Sequence, residues 1–539
     1  MDFTAQLAQC KLDPALENWI KSQREEAQKS AEKIAALNAQ NAALNSTNTA
    51  LSALLHNKEC KIQALSFELA YLKRIKFAAK TEAFTIEQRD LFIESDTSDC
   101  VAIAAELEQV TPATPRTPSK PTGRQSLPEN LPRIEHRHEP ASCQCGQCGK
   151  DLVKIGEDIS EQLDVEPSRF FVHRHIRPQY ACRACETITA APIPPAIIDG
   201  GLAAPGLHAW VVVQKYLDHL PLYRIEQISA RQGVTLSRST LAEWIGRLGV
   251  ALQPLADRLA ERLKQSHVLH ADETPVQQLD PGEGKTKRAY LWVYRSNDLD
   301  TDDPIDPIVV FDYQTSRSGS HAQSFLQDWR GHLMVDDYSG YKALFKSGIT
   351  ELACLAHARR KFFDLHAANQ HPVAAEALQR IAALYATERD TKEMTCAQRA
   401  MHRQQHAIPQ WESFHTWLLQ KRKTTAEGGA LARAIDYSLK RWPALIRYAS
   451  SGNLPIDNNP VENAIRPIAI GKKNWLFAGS ERAGKRAASI QTLLGTAKLN
   501  GIEPLQWLKD TLEKLPTWPN SRIDELLPLR LVRCAACSS

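Results

Sequence analysis

The 539-residue sequence has few cysteines, no apolar run suited to crossing a membrane, and no excess of charge of one sign. Its twelve cysteines are too few for a disulfide framework at this length. The most apolar stretch, residues 187–213, contains four prolines and Asp199, which excludes a membrane-spanning helix. The net charge of +4 is too small to indicate a nucleic-acid partner by itself. No basic segment followed by an apolar one opens the chain, so we predict a cytoplasmic protein without a signal peptide or membrane partner.

The composition is that of a globular protein. Apolar residues make up 43% and charged residues 24%, which excludes a mostly disordered chain. At roughly 150 residues per domain, the length predicts three or four structural units.

A heptad repeat fills the first predicted segment, residues 1–80. Apolar residues recur at heptad spacing from Ile34 to Leu72 without a proline or glycine. This predicts a coiled coil, because a single helix cannot bury such a seam alone. Asn41 and Asn48 in the seam favour helices paired in register, so we expect self-association as a dimer or higher oligomer. The alternative is a long helix packed on its own protein.

Residues 81–140 are predicted to be a proline-rich linker, since residues 111–140 contain seven prolines and no apolar period. A zinc-binding domain, residues 141–195, should follow. It contains two CxxC pairs, Cys145 with Cys148 and Cys182 with Cys185. Four thiolates on two short turns can form a closed tetrahedral site, and the alternating residues between them resemble a hairpin. We therefore predict a structural Zn²⁺ ion.

Residues 196–260 are predicted to contain a helix-turn-helix. The first helix should span residues 222–231, residues 232–234 should turn, and Ser237 or Ser239 should cap the second helix. Three basic side chains are then candidates for DNA phosphates: Arg231, Arg238 and Arg247. An ordinary helical hairpin is an equally good interpretation of this stretch.

Residues 261–520 show strand and helix patterns in the order of a ribonuclease-H-like α/β domain. Asp272 falls in the first strand and Asp336 at the end of the fourth, and these strands are neighbours in that topology. Two converging carboxylates repel each other, and Mg²⁺ or Mn²⁺ relieves the repulsion. Glu462, in the first turn of a helix, is the candidate third acid of a site with two metal ions. We predict an all-α insertion at about residues 365–453.

The chain becomes locally basic after Glu462. Cations beside Trp475 and Phe477 suit DNA, although a solvated face with a core tryptophan is the alternative. The candidates are Arg466, Lys472, Lys473, Arg482, Lys485 and Arg486.

From about Lys73 to Leu527 the chain resembles a known family, the large DDE transposases of the insertion-sequence-sixty-six family of bacterial mobile elements. The resemblance is carried by LHADETPV, VDDYSGY, ACLAHARRKFFDLH, IDNNPVENAIRPIAIGKKNWLFAGS and GTAKLNGIEP. It implies a nucleoid-associated enzyme that binds the element's terminal inverted repeats, cleaves phosphodiester bonds and joins the 3′-OH ends to target DNA. It also implies small accessory proteins from the same element.

The resemblance assigns Asp272, Asp336 and Glu462 as the catalytic acids. Cys354 and His357 match a CxxH that such domains often carry, and we expect them to support the site. Asp337 stands where the family has glycine, which leaves open which of the two adjacent aspartates binds metal. The segment 521–539, with Cys534 and Cys537, does not resemble the family's ending and is predicted to be a tail. The alternative function is a non-catalytic DNA-binding repressor or scaffold descended from a transposase.

Overall fold

The computed structural model describes residues 14–78, 127, 129, 131–139, 144, 147, 148, 150–166, 169–198, 200–280, 283–299 and 306–530. Most of the predicted linker therefore lies outside the described residues, as do Cys145, Cys534 and Cys537. The chain divides into two units, the first of which contains most of the N-terminal helix and the second the remaining elements.

The N-terminal helix α1 runs without interruption from Pro14 to Ala78. It confirms the helix that the heptad pattern predicts. The apolar seam is exposed between Ile34 and Leu55, where Ile34, Leu37, Leu44, Leu51 and Leu55 are 50–60% exposed, whereas Leu65 further along is buried. In the described ranges no helix, α1 included, is both long and apolar enough to cross a membrane.

A small sheet precedes the central body. It contains β1 (Arg133–Arg137), β2 (Val153–Glu166), β3 (Arg169–Ala181) and β4 (Ile188–Ala190), with β3 between β1 and β2. Strands β2 and β3 form a long antiparallel hairpin, as the alternating sequence predicts. The turn that holds Cys182 and Cys185 follows β3 directly, so the hairpin presents these thiols at its end.

Three helices come next: α2 (Pro205–Tyr216), α3 (Leu222–Arg231) and α4 (Arg238–Leu263). The bounds of α3 and the turn at Gly233, whose φ is +78°, match the helix-turn-helix prediction. Ser237 caps α4 by accepting a hydrogen bond from the backbone N–H of Thr240 at 3.2 Å. However, α4 buries thirteen of its 26 residues and shares one hydrophobic core with the central sheet. The helical region 196–260 is therefore packed into the larger body rather than set apart from it.

The central sheet contains β5 (Val268–Asp280), β6 (Lys285–Ser296), β7 (Val309–Gln314), β8 (His332–Val335) and β9 (Thr350–Ala353). Their order is β7-β6-β5-β8-β9. The β5–β6 and β6–β7 pairs are antiparallel, whereas the β5–β8 and β8–β9 pairs are parallel. Helix α5 (Gly319–Leu326) links β7 to β8, and α6 (Lys342–Lys346) links β8 to β9.

An all-α insertion follows β9, as predicted. Its helices are α7 (Leu355–Asn369), α8 (Pro372–Asp390), α9 (Cys396–His402), α10 (Ile408–Lys423), α11 (Ala430–Lys440) and α12 (Trp442–Ile446). The insertion has its own hydrophobic core, which includes Trp411 and Phe414. Arg403 is fully buried there and forms a two-pronged ion pair with Glu388, at 2.9 and 2.7 Å.

The chain then returns to the sheet through α13 (Asn459–Trp475), the short strand β10 (Phe477–Ala478), α14 (Glu481–Leu499) and α15 (Pro504–Lys514). Strand β10 pairs in parallel with β5 at Gln277 and Gln278. Leu526, Leu527 and Leu529 are buried in the main core. The packed structure thus continues beyond residue 521, where the predicted tail begins.

Candidate active site

The pairing of β5 with β8 brings two acidic side chains together. The register aligns Val268 with His332 and His270 with Met334. Two residues further on, the same register places Asp336, which directly follows β8, alongside Asp272 in β5. His270 and Met334 are paired across the two strands. Asp272 and Asp336 each follow two residues later, where the side chain returns to the same face, so both carboxylates lie on one side of the sheet.

The outer edge of β5 is open where Asp272 lies. Strand β8 covers this edge up to His270, and β10 covers it again from Gln277, with no strand between them in the described ranges. Helix α13 lies beside this stretch, where the Lys472 Nζ donates to the Pro275 carbonyl at 3.1 Å. The gap gives side chains of α13 access to the acids of the sheet.

The pKa of Asp272 reflects both its burial and the other acids nearby. Burial, together with the charges of Glu273, Asp336 and Glu462, raises the pKa of Asp272 to about 7. The backbone N–H of Glu273, 2.8 Å from Asp272 Oδ1, opposes the rise in pKa. The three predicted catalytic acids therefore lie close enough to repel one another, and a cation would relieve this repulsion.

Glu462 lies in the first turn of α13, and the buried residue Asn458 anchors that turn. The side-chain amide of Asn458 donates to the Ala271 carbonyl at 2.9 Å, and its oxygen lies 3.0 Å from His270 Nδ1. Its backbone N–H donates to Cys354 Sγ at 3.2 Å. Asn458 is the N-cap residue of α13, but its side chain ties α13 to β5 instead of capping the helix.

Cys354 and His357, the residues of the predicted CxxH, lie near Glu462, the predicted third acid. Burial raises the pKa of the Cys354 thiol to about 12, so at neutral pH it is a thiol whose sulfur accepts the Asn458 N–H. His357 Nδ1 lies 3.7 Å from Glu462 Oε1. Ligand atoms of these two residues and Glu462 lie within 4.8 Å of one another. The hydrogen bond that Cys354 accepts from the start of α13 is a contact that supports the position of Glu462.

The adjacent aspartates 336 and 337 have different surroundings. Asp336 Oδ1 accepts the backbone N–H of Tyr338 at 2.8 Å and lies beside Asp272. Asp337 Oδ1 lies 3.7 Å from the Arg441 guanidinium of the insertion, which also pairs with Glu351 at 2.5 Å. The structure thus places Asp336 in the acidic cluster and Asp337 against a cation.

Glu273 is a buried acid that the sequence reasoning missed. It points away from Asp272 and accepts hydrogen bonds from Arg317 Nε and the Tyr341 hydroxyl, both at 2.8 Å. The Arg317 guanidinium stacks over the Tyr338 ring, 4.0 Å from its centroid. Glu273 and Tyr341 fall in HADET and DDYSGY, so their place inside the two acidic motifs was the available signal. The pair joins the β5 motif to the β8 motif from behind the cluster.

The predicted DNA-binding residues differ in exposure. Arg231, Arg466 and Lys473 are exposed, and so is Lys485, which pairs with Glu481 at 2.6 Å. Arg486 is only 6% exposed and packs against Gly249 of α4, so we leave it out of the DNA-contacting set.

The other four candidates are half-buried: Arg238, Arg247, Lys472 and Arg482. Arg238 pairs with Glu226 at 2.9 Å, and Arg247 lies 3.4 Å from Glu243. Lys472 is the side chain that donates to β5. These contacts hold the cations on the protein surface without excluding a phosphate partner.

The small sheet gathers three of the four predicted zinc ligands. Cys148 Sγ lies 3.2 Å from Cys182 Sγ and 3.8 Å from Cys185 Sγ. Sulfurs bound tetrahedrally to zinc at about 2.3 Å are separated by about 3.8 Å, so the three thiols fit such a site. Cys145 falls outside the described residues.

Four family models match this chain in the order of its parts. They are described as Transposase C of IS166 homeodomain (residues 64–135), zinc-finger binding domain of transposase IS66 (142–186), Transposase IS66 family (200–486) and IS66 C-terminal element (492–529). The protein is thus a multidomain transposase with a zinc-binding domain ahead of its transposase domain.

The chain belongs to the IS66 transposase family, which confirms the resemblance seen in its motifs. It is also similar to uncharacterized proteins of Sinorhizobium fredii. It is 36% identical to y4jD over 482 residues, covering 86% of this chain and 94% of that protein. It is 37% identical to y4qI over 485 residues, covering 87% and 89% respectively.

The Asn458 side chain should be essential for the stability of the site. We expect Asn458→Ala to lower the free energy of unfolding by about 1–3 kcal/mol, because it leaves the Ala271 carbonyl and the His270 ring without their buried partner. Urea unfolding measures this. Asn463→Ala, at an exposed position on the same helix, is the control and should stay within about 0.5 kcal/mol of the wild type. Equal stability of both variants would contradict the anchoring role of Asn458.

Proposed function

We propose that the protein is a metal-dependent DNA transposase that cleaves phosphodiester bonds at the ends of its element and joins the resulting 3′-OH ends to target DNA. The observation that carries the proposal is the placement of Asp272 and Asp336 side by side at the open edge of β5, with Glu462 close enough for its charge to add to the raised pKa of Asp272. A protein that only binds DNA would gain nothing from three neighbouring, half-buried carboxylates, whose like charges repel one another.

The sheet supports a ribonuclease-H-like core. Three antiparallel strands, β5 to β7, are followed by parallel β8 and β9 on the other side of β5. In this arrangement the first and fourth strands are neighbours, and they contribute the first two acids. The third acid comes from α13, after the insertion, on a helix that borders the open edge of β5.

The three carboxylates suit Mg²⁺ or Mn²⁺, which prefer oxygen ligands. When bound, a pair of such ions supplies positive charge at the attacking and leaving oxygens of the phosphate. We assign Asp272, Asp336 and Glu462 as the metal-holding residues. Asp337 is excluded from this set because it faces Arg441, and Cys354 and His357 support Glu462 from the insertion side.

Exposed basic residues are proposed to hold the DNA backbone. On α13 and α14 these are Arg466, Lys473 and Lys485, and at the end of α3 it is Arg231. The half-buried Arg238, Arg247, Lys472 and Arg482 complete the proposed set. Because half of the residues of α4 are buried, a helix-turn-helix contact would use the surface of its N-terminal half, where Arg238 and Arg247 lie. The DNA partners are the element's terminal inverted repeats and the target, with small accessory proteins as further partners.

A structural Zn²⁺ is proposed for Cys148, Cys182 and Cys185, with Cys145 as the fourth ligand. Such a closed site holds the end of the β2–β3 hairpin and takes no part in the chemistry. The exposed seam of α1 is proposed to pair with the same seam of a second chain, which would hold two protomers together, one for each element end.

Loss of any one proposed metal-holding acid should abolish strand transfer. We expect Asp272→Asn, Asp336→Asn and Glu462→Gln each to lower Mg²⁺-dependent joining by about 10³-fold or more, because each removes a ligand of the metal pair. The assay joins DNA ends taken from the gene's flanks to a plasmid. Binding of the same DNA, measured by gel shift, should be retained. Asp337→Asn is the matched control and should keep its activity; full activity of Glu462→Gln would refute the assignment.

Zinc content should depend on the thiols of the small sheet. We expect the purified protein to hold one zinc ion per chain, and Cys148→Ser or Cys182→Ser to reduce this to background, because a tetrahedral site loses affinity with each thiolate removed. Atomic emission measures the content. Cys396→Ser, at a buried cysteine of the insertion, is the control and should keep its zinc. Zinc retained after Cys182→Ser would contradict the proposed site.

Charges in the seam of α1 should separate the protomers. We expect Leu44→Arg with Leu51→Arg to halve the mass measured by light scattering on the full chain, because the charges would face each other in the seam. Ala39→Arg with Ser46→Arg adds the same charge on the opposite face of the helix and should leave the mass unchanged. An unchanged mass in the seam variant would exclude pairing through α1.

A further inference from the structure

A cleft lies beside the third acid, between α7, α8 and α13. It is lined by Ala356, His357, Arg359, Arg360, Phe363, Tyr385, Asn459 and Glu462. Its volume is about 410 Å³, which falls in the range of about 300–1,000 Å³ typical of ligand pockets. Neither the metal-holding cluster nor the proposed basic surface uses this cleft, although Glu462 forms part of its wall.

One wall of the cleft is basic and aromatic. One face of α7 carries four of the lining residues, at positions 356, 359, 360 and 363. Residues 359 and 360 each lie three or four positions from residues 356 and 363, which is the spacing of neighbours on a helix surface. Arg359, Arg360 and Phe363 are exposed, and the Arg359 guanidinium lies 5.5 Å from the Phe363 ring centroid. Within the ranges that the structure describes, neither guanidinium forms an ion pair. Two cations and a ring that is 46% exposed therefore line the cleft.

The opposite wall is held in place by hydrogen bonds. The Tyr385 hydroxyl donates to Asp457 Oδ2 at 2.9 Å, and the Asn459 side-chain amide donates to the same oxygen at 2.8 Å. The Asn459 backbone N–H donates to Asp457 Oδ1 at 3.1 Å. These bonds connect α8 to the start of α13 and hold the two parts of this wall together.

We propose that this cleft binds the nucleotide next to the scissile phosphate, with its unstacked base against Phe363 and its phosphates on Arg359 and Arg360. The inference rests on the proposed function, since Glu462 places the reacting phosphate at the inner end of the cleft. Guanidinium groups bind phosphate oxygens, and an aromatic ring stacks on any base without selecting its sequence. A solvated helix face would explain the two arginines, but it does not explain a phenylalanine that is 46% exposed in the lining of the same cleft.

The test compares the binding of two DNA probes to the full-length protein without added Mg²⁺. Each probe is a 30-base-pair duplex with a five-nucleotide single-stranded 3′ extension, and the first extension nucleotide is either intact or abasic. Wild-type protein should bind the intact probe about 5- to 150-fold more tightly, the factor expected for one base–aromatic stack. Phe363→Ala should bind both probes equally, and Phe363→Trp should restore the preference.

The arginines should act on both probes alike. Arg359→Ala with Arg360→Ala should weaken both complexes and reduce the slope of log Kd against log salt by about 1.4–1.8, the effect of two lost phosphate contacts. Lys361→Ala is the matched control, because its ammonium lies over the Tyr437 ring, 4.4 Å from the centroid, and outside the cleft lining. It should keep the wild-type preference for the intact base.

The outcomes separate this inference from the proposed function. A wild-type preference for the intact base in Phe363→Ala, or its loss in Lys361→Ala, would overturn the nucleotide site whatever the enzyme does. Loss of the preference in Phe363→Ala alone supports the site even if strand transfer by the wild type fails, since no catalysis enters the binding assay. Failure of strand transfer is a result against the proposed function only. Thermal unfolding of each variant confirms that it is folded.

Discussion

The short parallel pairing of β5 with β8 is the constraint on which the site depends. It sets Asp336 next to Asp272 on a half-buried face, where the two carboxylate charges repel each other. Glu462 joins them because Asn458 ties the start of α13 to the backbone of β5 and to the thiol at the start of α7. Folding energy from the rest of the molecule thus holds three like charges together, which is the state that a divalent cation stabilises.

The helical insertion between the second and third acids contributes residues to the site. Cys354 is the N-cap residue of its first helix, α7, which carries His357. Its second helix, α8, carries Tyr385, whose hydroxyl donates to Asp457. Arg441, near its end, draws Asp337 away from the cluster. The buried Arg403–Glu388 pair has further bonds from the guanidinium to the backbone carbonyls of Tyr448 and Leu454. These bonds tie separate helices of the insertion to one another around its core.

Much of the fold could be predicted from the sequence where the signal is local. The bounds of α3, the turn at Gly233 and the cap at Ser237 follow from short-range preferences and agree with the structure. The β2–β3 hairpin and the all-α character of the insertion follow from periodicity. The burial of Arg486 could not be predicted, because it results from the packing of α14 against Gly249, over 230 residues away in the chain. For the same reason the sequence did not show that α4, the second helix of the predicted helix-turn-helix, shares a core with the central sheet.

The sequence by itself determined the family, the three acidic motifs, the cysteine pairs and the heptad repeat, because each consists of particular residue types at fixed local spacing. Only the tertiary structure decided how the acids are arranged. It distinguished Asp336 from Asp337 by the surroundings of each, and it made Asn458 a tie between distant segments instead of a helix cap. It also set a cleft against Glu462 from three helices. The physical reason is that charge repulsion, burial and hydrogen bonding act through space between residues far apart in the chain, where local patterns carry no information.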